Sequence, residues 1–129
     1  MKYVVSSALA LCCGMAMAAE PQWLEITKSN DGNVVSMDIN SVKVDGTMVT
    51  VWFKTVFTKP GKAALDKRRV KADCRAERLA TLSFWIYDAK GHLTSSKATV
   101  DSYDQWVDVA PETVGRSMLD AACAMAPEK

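Results

Sequence analysis

The sequence has little of what enzymes and metal sites are built from. It contains a single histidine, His92, and it lacks paired Cys-x-x-Cys motifs, His-Glu-x-x-His, Gly-x-Ser-x-Gly and a glycine-rich phosphate loop. His92 follows Gly91 at a turn and has no partner in the sequence pattern for metal ligation or base catalysis. Asp101, Asp104 and Asp108 do not have calcium-loop spacing, because strand-forming residues interrupt them. We therefore expect no enzymatic activity, no metal and no cofactor.

Long apolar runs are also scarce, since the chain has only one and it lies at the N terminus. Lys2 precedes an apolar run from Tyr3 to Met17, and Ala16-Met17-Ala18 forms a small-x-small cleavage site. The run is shorter than the roughly 20 residues that a membrane-spanning helix needs. The pattern predicts a signal peptide over residues 1–18, a mature domain over 19–129 and no transmembrane segment.

Two cysteines inside this run, Cys12 and Cys13, raise the alternative of a lipoprotein. An acylated cysteine follows a small residue, whereas Leu11 precedes Cys12 and Cys12 precedes Cys13. The chemistry therefore favours processing before Ala19 without acylation. We expect an exported protein, periplasmic or secreted, with outer-surface display as the alternative.

The mature chain has no charge excess and only two cysteines, Cys74 and Cys123. The 16 basic and 15 acidic residues become equal in number once Lys2 leaves with the signal, which disfavours a nucleic-acid binder. Because export leads to an oxidising compartment, the two cysteines are predicted to pair. Closing a loop of this length stabilises a fold by about 4 kcal/mol.

Short β-rich runs separated by turn residues predict an antiparallel sheet of about six strands. The clearest hairpin turns at Asp45-Gly46 and leads into a long central strand, Thr47 to Phe57. Thr58 to Lys67, with Pro60-Gly61 at its start, is expected to be the longest loop. A strand from Val70 to Cys74 follows, and His92 to Val100 is expected at an edge.

The last element has a different period. From Pro111 to Ala126, apolar residues recur at helical spacing on one arc, which predicts an amphipathic helix lying on the sheet. Cys123 falls at the rim of that arc, where a bond to Cys74 would join helix to sheet. The fold class expected is therefore α+β, with one C-terminal helix and one disulfide.

The order of landmarks along the mature chain resembles that of a known family. These landmarks are Trp23, Asp38-Ile39-Asn40-Ser41-Val42, Val49-Thr50-Val51-Trp52-Phe53-Lys54, Cys74, Tyr87-Asp88, Gly91, Trp106, Pro111 and Cys123. The series resembles the surface-adhesin protein E family of Gram-negative bacteria. The resemblance implies an antiparallel sheet, a C-terminal helix and a disulfide that joins them.

The same resemblance implies a function but carries over no binding residue, since its landmarks belong to the fold. The best-known member of the family binds host matrix and serum glycoproteins. We therefore expect an exported, non-enzymatic, adhesin-like binding protein with such partners. The alternative is a periplasmic envelope or inhibitor-type protein that binds a bacterial or host enzyme.

A basic segment is the first candidate for a binding surface. It holds half of all lysines and arginines: Lys59, Lys62, Lys67, Arg68, Arg69, Lys71, Arg75 and Arg78. We single out Lys67, Arg68, Arg69 and Lys71 as residues that could attract an acidic or sulfated partner. The alternative is a solvated loop and sheet edge, moderated by nearby acidic residues.

Three aromatic residues form the second candidate. Trp52, Trp85 and Tyr87 are expected to share the sheet face that the helix does not cover, and an exposed aromatic face is suited to a protein contact, including a homodimer. The alternative is that their rings close a second small core under the long loop.

Overall fold

Two antiparallel hairpins begin the sheet, and a C-terminal helix covers one of its faces. The computed structural model describes residues 19–59, 61, 63–98 and 106–126. The predicted signal peptide lies outside these residues, as do Asp101 and Asp104, two of the three aspartates that were compared with a calcium loop. No helix in the described part of the chain is both long and apolar enough to cross a bilayer.

Ten elements follow in chain order, with all strand pairs antiparallel. They are β1 (Trp23–Lys28), β2 (Val34–Asp38), a 3-10 turn (Ile39–Ser41), β3 (Lys43–Asp45), β4 (Met48–Val56), β5 (Leu65–Asp73), β6 (Arg78–Tyr87), β7 (Leu93–Ala98), β8 (Val107–Asp108) and α1 (Val114–Ala124). The main sheet order is β1-β2-β4-β5-β6-β7. The short strands β3 and β8 pair with the remaining ends of β4 and β6. The α+β class and the sheet-plus-helix architecture are thus confirmed.

The core lies between the helix and one face of the sheet. Alternate residues of β4 point into it, and Val49, Val51 and Phe53 are all at most 2% exposed. Leu119 and Ala122 of α1 are buried against them. Burial of these side chains is what fixes the helix on this face, because an 11-residue helix is marginal in isolation.

The predicted disulfide is confirmed and joins the helix to the sheet. Cys74 follows β5 directly and bonds to Cys123 near the C-terminal end of α1, with the two Cα atoms 5.6 Å apart. The bridge closes a sequence separation of 49 residues. It therefore ties the last helical turn to the end of a central strand.

The helix begins later than the sequence pattern predicts. Glu112 has a positive φ of 58°, and Thr113 is extended, so Pro111 lies outside the helix and not in its first turn. The Thr113 side chain caps the helix by accepting a hydrogen bond from the backbone N–H of Arg116 at 3.2 Å. The capping geometry sets the start at Val114.

The hairpin turn between β3 and β4 is displaced by one residue. Asp45 pairs with Met48, so the two-residue loop is Gly46-Thr47 and not Asp45-Gly46. Gly46 takes a φ of +60°, which a residue with a side chain rarely adopts.

The largest correction concerns the segment expected to be a loop. Strand β5 begins at Leu65 and pairs along its whole length with both β4 and β6. The prediction of a loop up to Lys67 was wrong. Pairing with the long β4 makes the strand begin at Leu65, whereas the sequence pattern placed its start at Val70. The basic residues of this strand consequently lie in the middle of the sheet, and not on a loop and edge.

Candidate functional site

The only histidine of the sequence lies exposed at a turn. His92 is 74% exposed at its side chain, and its Nδ1 lies 3.6 Å from Asp88 Oδ2 across a turn. In the part of the chain that the structure describes, no three histidine, cysteine, aspartate or glutamate side chains cluster to hold a metal ion.

Strand alternation divides the basic segment between the two faces of the sheet. Successive side chains of a strand point to opposite faces, so Lys67, Arg69 and Lys71 share one face while Arg68 lies on the other. Val70, which is buried in the core, lies on the Arg68 side. Three of the four predicted basic residues therefore face away from α1.

Arg68 is separated from the other candidates by its contacts as well as by its direction. Its Nε lies 3.0 and 2.8 Å from the two carboxylate oxygens of the buried Asp66, and its guanidinium lies 5.5 Å from the centroid of Phe84. The structure does not bring Arg68 together with Lys67, Arg69 and Lys71.

The predicted aromatic residues lie on the same face as these three cations. Trp52 of β4 is paired with Arg69, Trp85 of β6 with Lys67, and Tyr87 with Leu65. The Trp52 and Trp85 rings reach diagonally across β5, with centroids 5.4 Å apart and planes inclined by 41°. Both tryptophans are half-buried, so part of each ring remains accessible beside the cations.

Lys54 and Trp23 are among the residues of this face that were missed at the level of sequence. Lys54 of β4 lies 4.6 Å above the Trp23 ring of β1, while Lys67 lies 5.9 Å from the Tyr87 ring. The alternation of β4 that groups Lys54 with Trp52 was the available signal. The position of Trp23 depends on strand register, which the sequence does not specify.

A shallow groove lies beside Trp52 on this face. It has a volume of about 350 Å³ and is lined by Ser41, Lys43, Thr50, Trp52 and Arg69, together with Val51. The Ser41 hydroxyl donates to the Asp38 carbonyl oxygen and accepts from the Trp52 N–H, so it is already used within the fold. Lys43 and Arg69 are the charged groups that the groove offers to a ligand.

We call this surface the aromatic-cationic face. It consists of Trp23, Lys43, Trp52, Lys54, Lys67, Arg69, Lys71, Trp85 and Tyr87. Within the described ranges, Lys43, Lys54, Lys67 and Arg69 make no ion pair. Their charge is therefore available to attract an acidic partner, and the rings next to it supply flat apolar area.

Comparisons with known proteins bear on the fold and on the family. No curated protein sequence matches this chain. The solved structure of Haemophilus influenzae protein E is similar, with a TM-score of 0.56 at 16% sequence identity, covering 84% of this chain and 92% of that one. The family model described as surface-adhesin protein E matches residues 23–124. Because this match spans most of the chain, and because the sheet, helix and disulfide are in place, the chain belongs to the surface-adhesin protein E family.

Proposed function

We propose that the protein is an exported adhesin that binds a host matrix or serum glycoprotein through the aromatic-cationic face. Membership of a surface-adhesin family supports an adhesin-like role. The observation that carries the proposal is the segregation of basic and aromatic side chains onto the sheet face opposite the helix.

The chemistry of this face favours an acidic or sulfated glycoprotein surface. Lys67 and Arg69 stand two residues apart on β5, which places their Cα atoms about 7 Å apart along the strand and their side chains on the same face. The tryptophan pair lies between these positions, and aromatic rings and arginine are enriched in protein interfaces. Cations of this kind accelerate association with a negatively charged partner, while the rings slow dissociation.

The direct test measures binding of the mature protein, residues 19–129, to immobilised fibronectin, laminin and fetuin. We expect saturable binding to at least one of them, weakening as sodium chloride rises from 0.05 M to 0.5 M, because the Debye length falls to a few ångströms. Binding to none of them, or binding unaffected by salt, would contradict the proposal.

The matched variants are Lys67→Glu combined with Arg69→Glu, and Arg75→Glu combined with Lys90→Glu. Both pairs change the net charge equally, but Arg75 and Lys90 lie in turns outside the aromatic-cationic face and are exposed. We expect the first pair to weaken binding at least tenfold and the second pair to leave it near the parent value. Circular dichroism and melting curves confirm that each variant is folded. Equal loss in both would assign binding to net charge alone.

The compartment is proposed from the signal pattern, with surface display as the alternative. Processing at Ala18 without acylation predicts that the protein purified from its native host has the mass of a chain beginning at Ala19. A mass that includes acyl chains on Cys12 or Cys13 would establish a lipoprotein anchor. Recovery of a periplasmic enzyme as the sole partner would favour the envelope or inhibitor-type role.

A further inference from the structure

A second cleft lies on the helix-covered side of the sheet, where α1 leaves part of β5 and β6 uncovered. It has a volume of about 760 Å³, which is in the usual range of roughly 300–1,000 Å³ for small-molecule sites. Its apolar lining includes Phe53, Val70, Leu79, Phe84, Trp106 and Met118. Phe53 and Val70 are core residues, whereas Leu79 and Phe84 are only half-buried. The core thus continues into an open apolar wall.

A fixed guanidinium group lies in the same cleft. Asp66, which is 7% exposed, accepts hydrogen bonds from Arg68 Nε, and Arg68 Nη2 lies 2.8 Å from Asp66 Oδ2. The contact with Asp66 uses one edge of the Arg68 guanidinium group, which carries five N–H donors. The Phe84 ring lies 5.5 Å from the same guanidinium group. The carboxylate therefore orients Arg68 and leaves donors of its other edge for a ligand.

A second cation lies among the described residues that line the cleft. Lys97 of β7 also lines it, and within the described ranges Lys97 makes no ion pair. Arg68 and Lys97 outnumber Asp66, the one acidic side chain among the described lining residues. Charge complementarity therefore selects an anion, and the apolar wall selects a ligand with a hydrophobic body.

We propose that this cleft binds a small amphipathic molecule that consists of an aliphatic chain and one carboxylate group. The chain lies on Leu79, Phe84 and Met118, and the carboxylate contacts Arg68 and Lys97. The site lies on the opposite side of the sheet from the aromatic-cationic face. It is therefore independent of the proposed glycoprotein binding and can fail or succeed separately.

The test titrates the mature protein with decanoate below its micellar concentration and follows heat and amide NMR shifts. We expect saturable binding, with shifts at Leu79, Thr81 and Phe84. Decyltrimethylammonium, which has the same chain and the opposite charge, should bind at least tenfold more weakly. Equal affinity for the two amphiphiles, no saturation, or shifts confined to Trp52 and Trp85 would overturn the proposal.

Two variants separate the site from general surface charge. Lys97 is exposed on the edge strand, so Lys97→Glu is expected to fold normally and to weaken decanoate binding about tenfold, the size of one charge-assisted contact. Lys90→Glu, in the turn that precedes the same strand, makes the same change in net charge and should leave the affinity unchanged. If Lys97→Glu binds decanoate as tightly as the parent, the assignment of the carboxylate subsite is wrong.

Discussion

The two faces of the sheet differ in how far their side chains are buried and paired with one another. On the helix side, Phe53, Val70 and Leu119 bury one another, and the charged Arg68 is paired with Asp66. On the other side, Trp52 and Trp85 contact each other, and within the described ranges the neighbouring Lys54, Lys67 and Arg69 make no ion pair. Burial and pairing thus stabilise the fold around α1, while the other face keeps charge and aromatic area available for a protein partner.

The largest test of this contrast removes the bond that holds the helix on its face. Cys74→Ser combined with Cys123→Ser should cost about 4 kcal/mol, which for a domain of this size lowers the melting temperature by about 20 °C. Thermal circular dichroism measures the change. A reducing agent should shift the parent protein by a similar amount and leave the double variant unaffected. A change below about 5 °C would show that core packing alone holds the helix.

A sharper comparison uses neighbouring residues of β4 that point to opposite faces. Phe53 is 2% exposed, and Phe53→Ala should cost about 4 kcal/mol because it leaves a cavity in the core. Trp52 is only half-buried, and Trp52→Ala should cost about 2 kcal/mol despite its larger ring. Urea unfolding gives both values. Equal costs would mean that the aromatic-cationic face is a second core, as the alternative interpretation of the tryptophans holds.

The same comparison can be made with two adjacent arginines of β5. Arg68→Glu places a second carboxylate beside Asp66 and should destabilise the fold by about 2 kcal/mol, a value reduced from that of a fully buried pair because Arg68 is 42% exposed. Arg69→Glu, on the exposed side, should change the free energy of unfolding by no more than about 0.5 kcal/mol. Urea unfolding of the two single variants decides the matter, and a reversed order would contradict the assignment of the faces.

Much of the fold could be predicted from sequence because its signals are local. The helical period of residues 114–124 and the turn glycine Gly46 follow from short patterns, and the pairing of Cys74 with Cys123 was predicted from a signal-peptide pattern. The start of β5 could not, since Pro60-Gly61 indicates a loop and only pairing with β4 extends the strand to Leu65.

The sequence predicted that the three aromatic residues share the face that the helix does not cover, but it did not predict how the basic segment divides between the two faces. Once β5 is a strand over residues 65–73, simple alternation separates Arg68 from Lys67 and Arg69. In β6 the alternation of side chains is interrupted at Leu82. Arg69 of β5 pairs with Ser83 and the next residue, Val70, pairs with Thr81, so Leu82 has no partner in β5. This bulge places Thr81 on the same face as Phe84. The cleft beside α1 depends on where the helix docks, and no local pattern records that.

The smallest expected effect concerns Asp73, the last residue of β5, which directly precedes the disulfide-bonded Cys74. Its carboxylate accepts a hydrogen bond from the Ala76 N–H at 3.0 Å, and this bond, with further help from Arg78 and the Arg75 N–H, lowers the pKa of Asp73 although burial opposes the shift. A carboxyl group whose pKa is lower in the folded state stabilises the fold above its unfolded pKa, near 3.8, and loses that contribution as pH falls through the folded value. Asp73→Asn should therefore cost about 1 kcal/mol at pH 7 and flatten the stability profile below pH 4. Urea unfolding between pH 2 and pH 7 measures the profile, and Asp45→Asn, at an exposed residue of β3, is the matched control. An Asp73→Asn profile parallel to that of the parent would mean that this carboxylate does not anchor the turn that leads from β5 into β6.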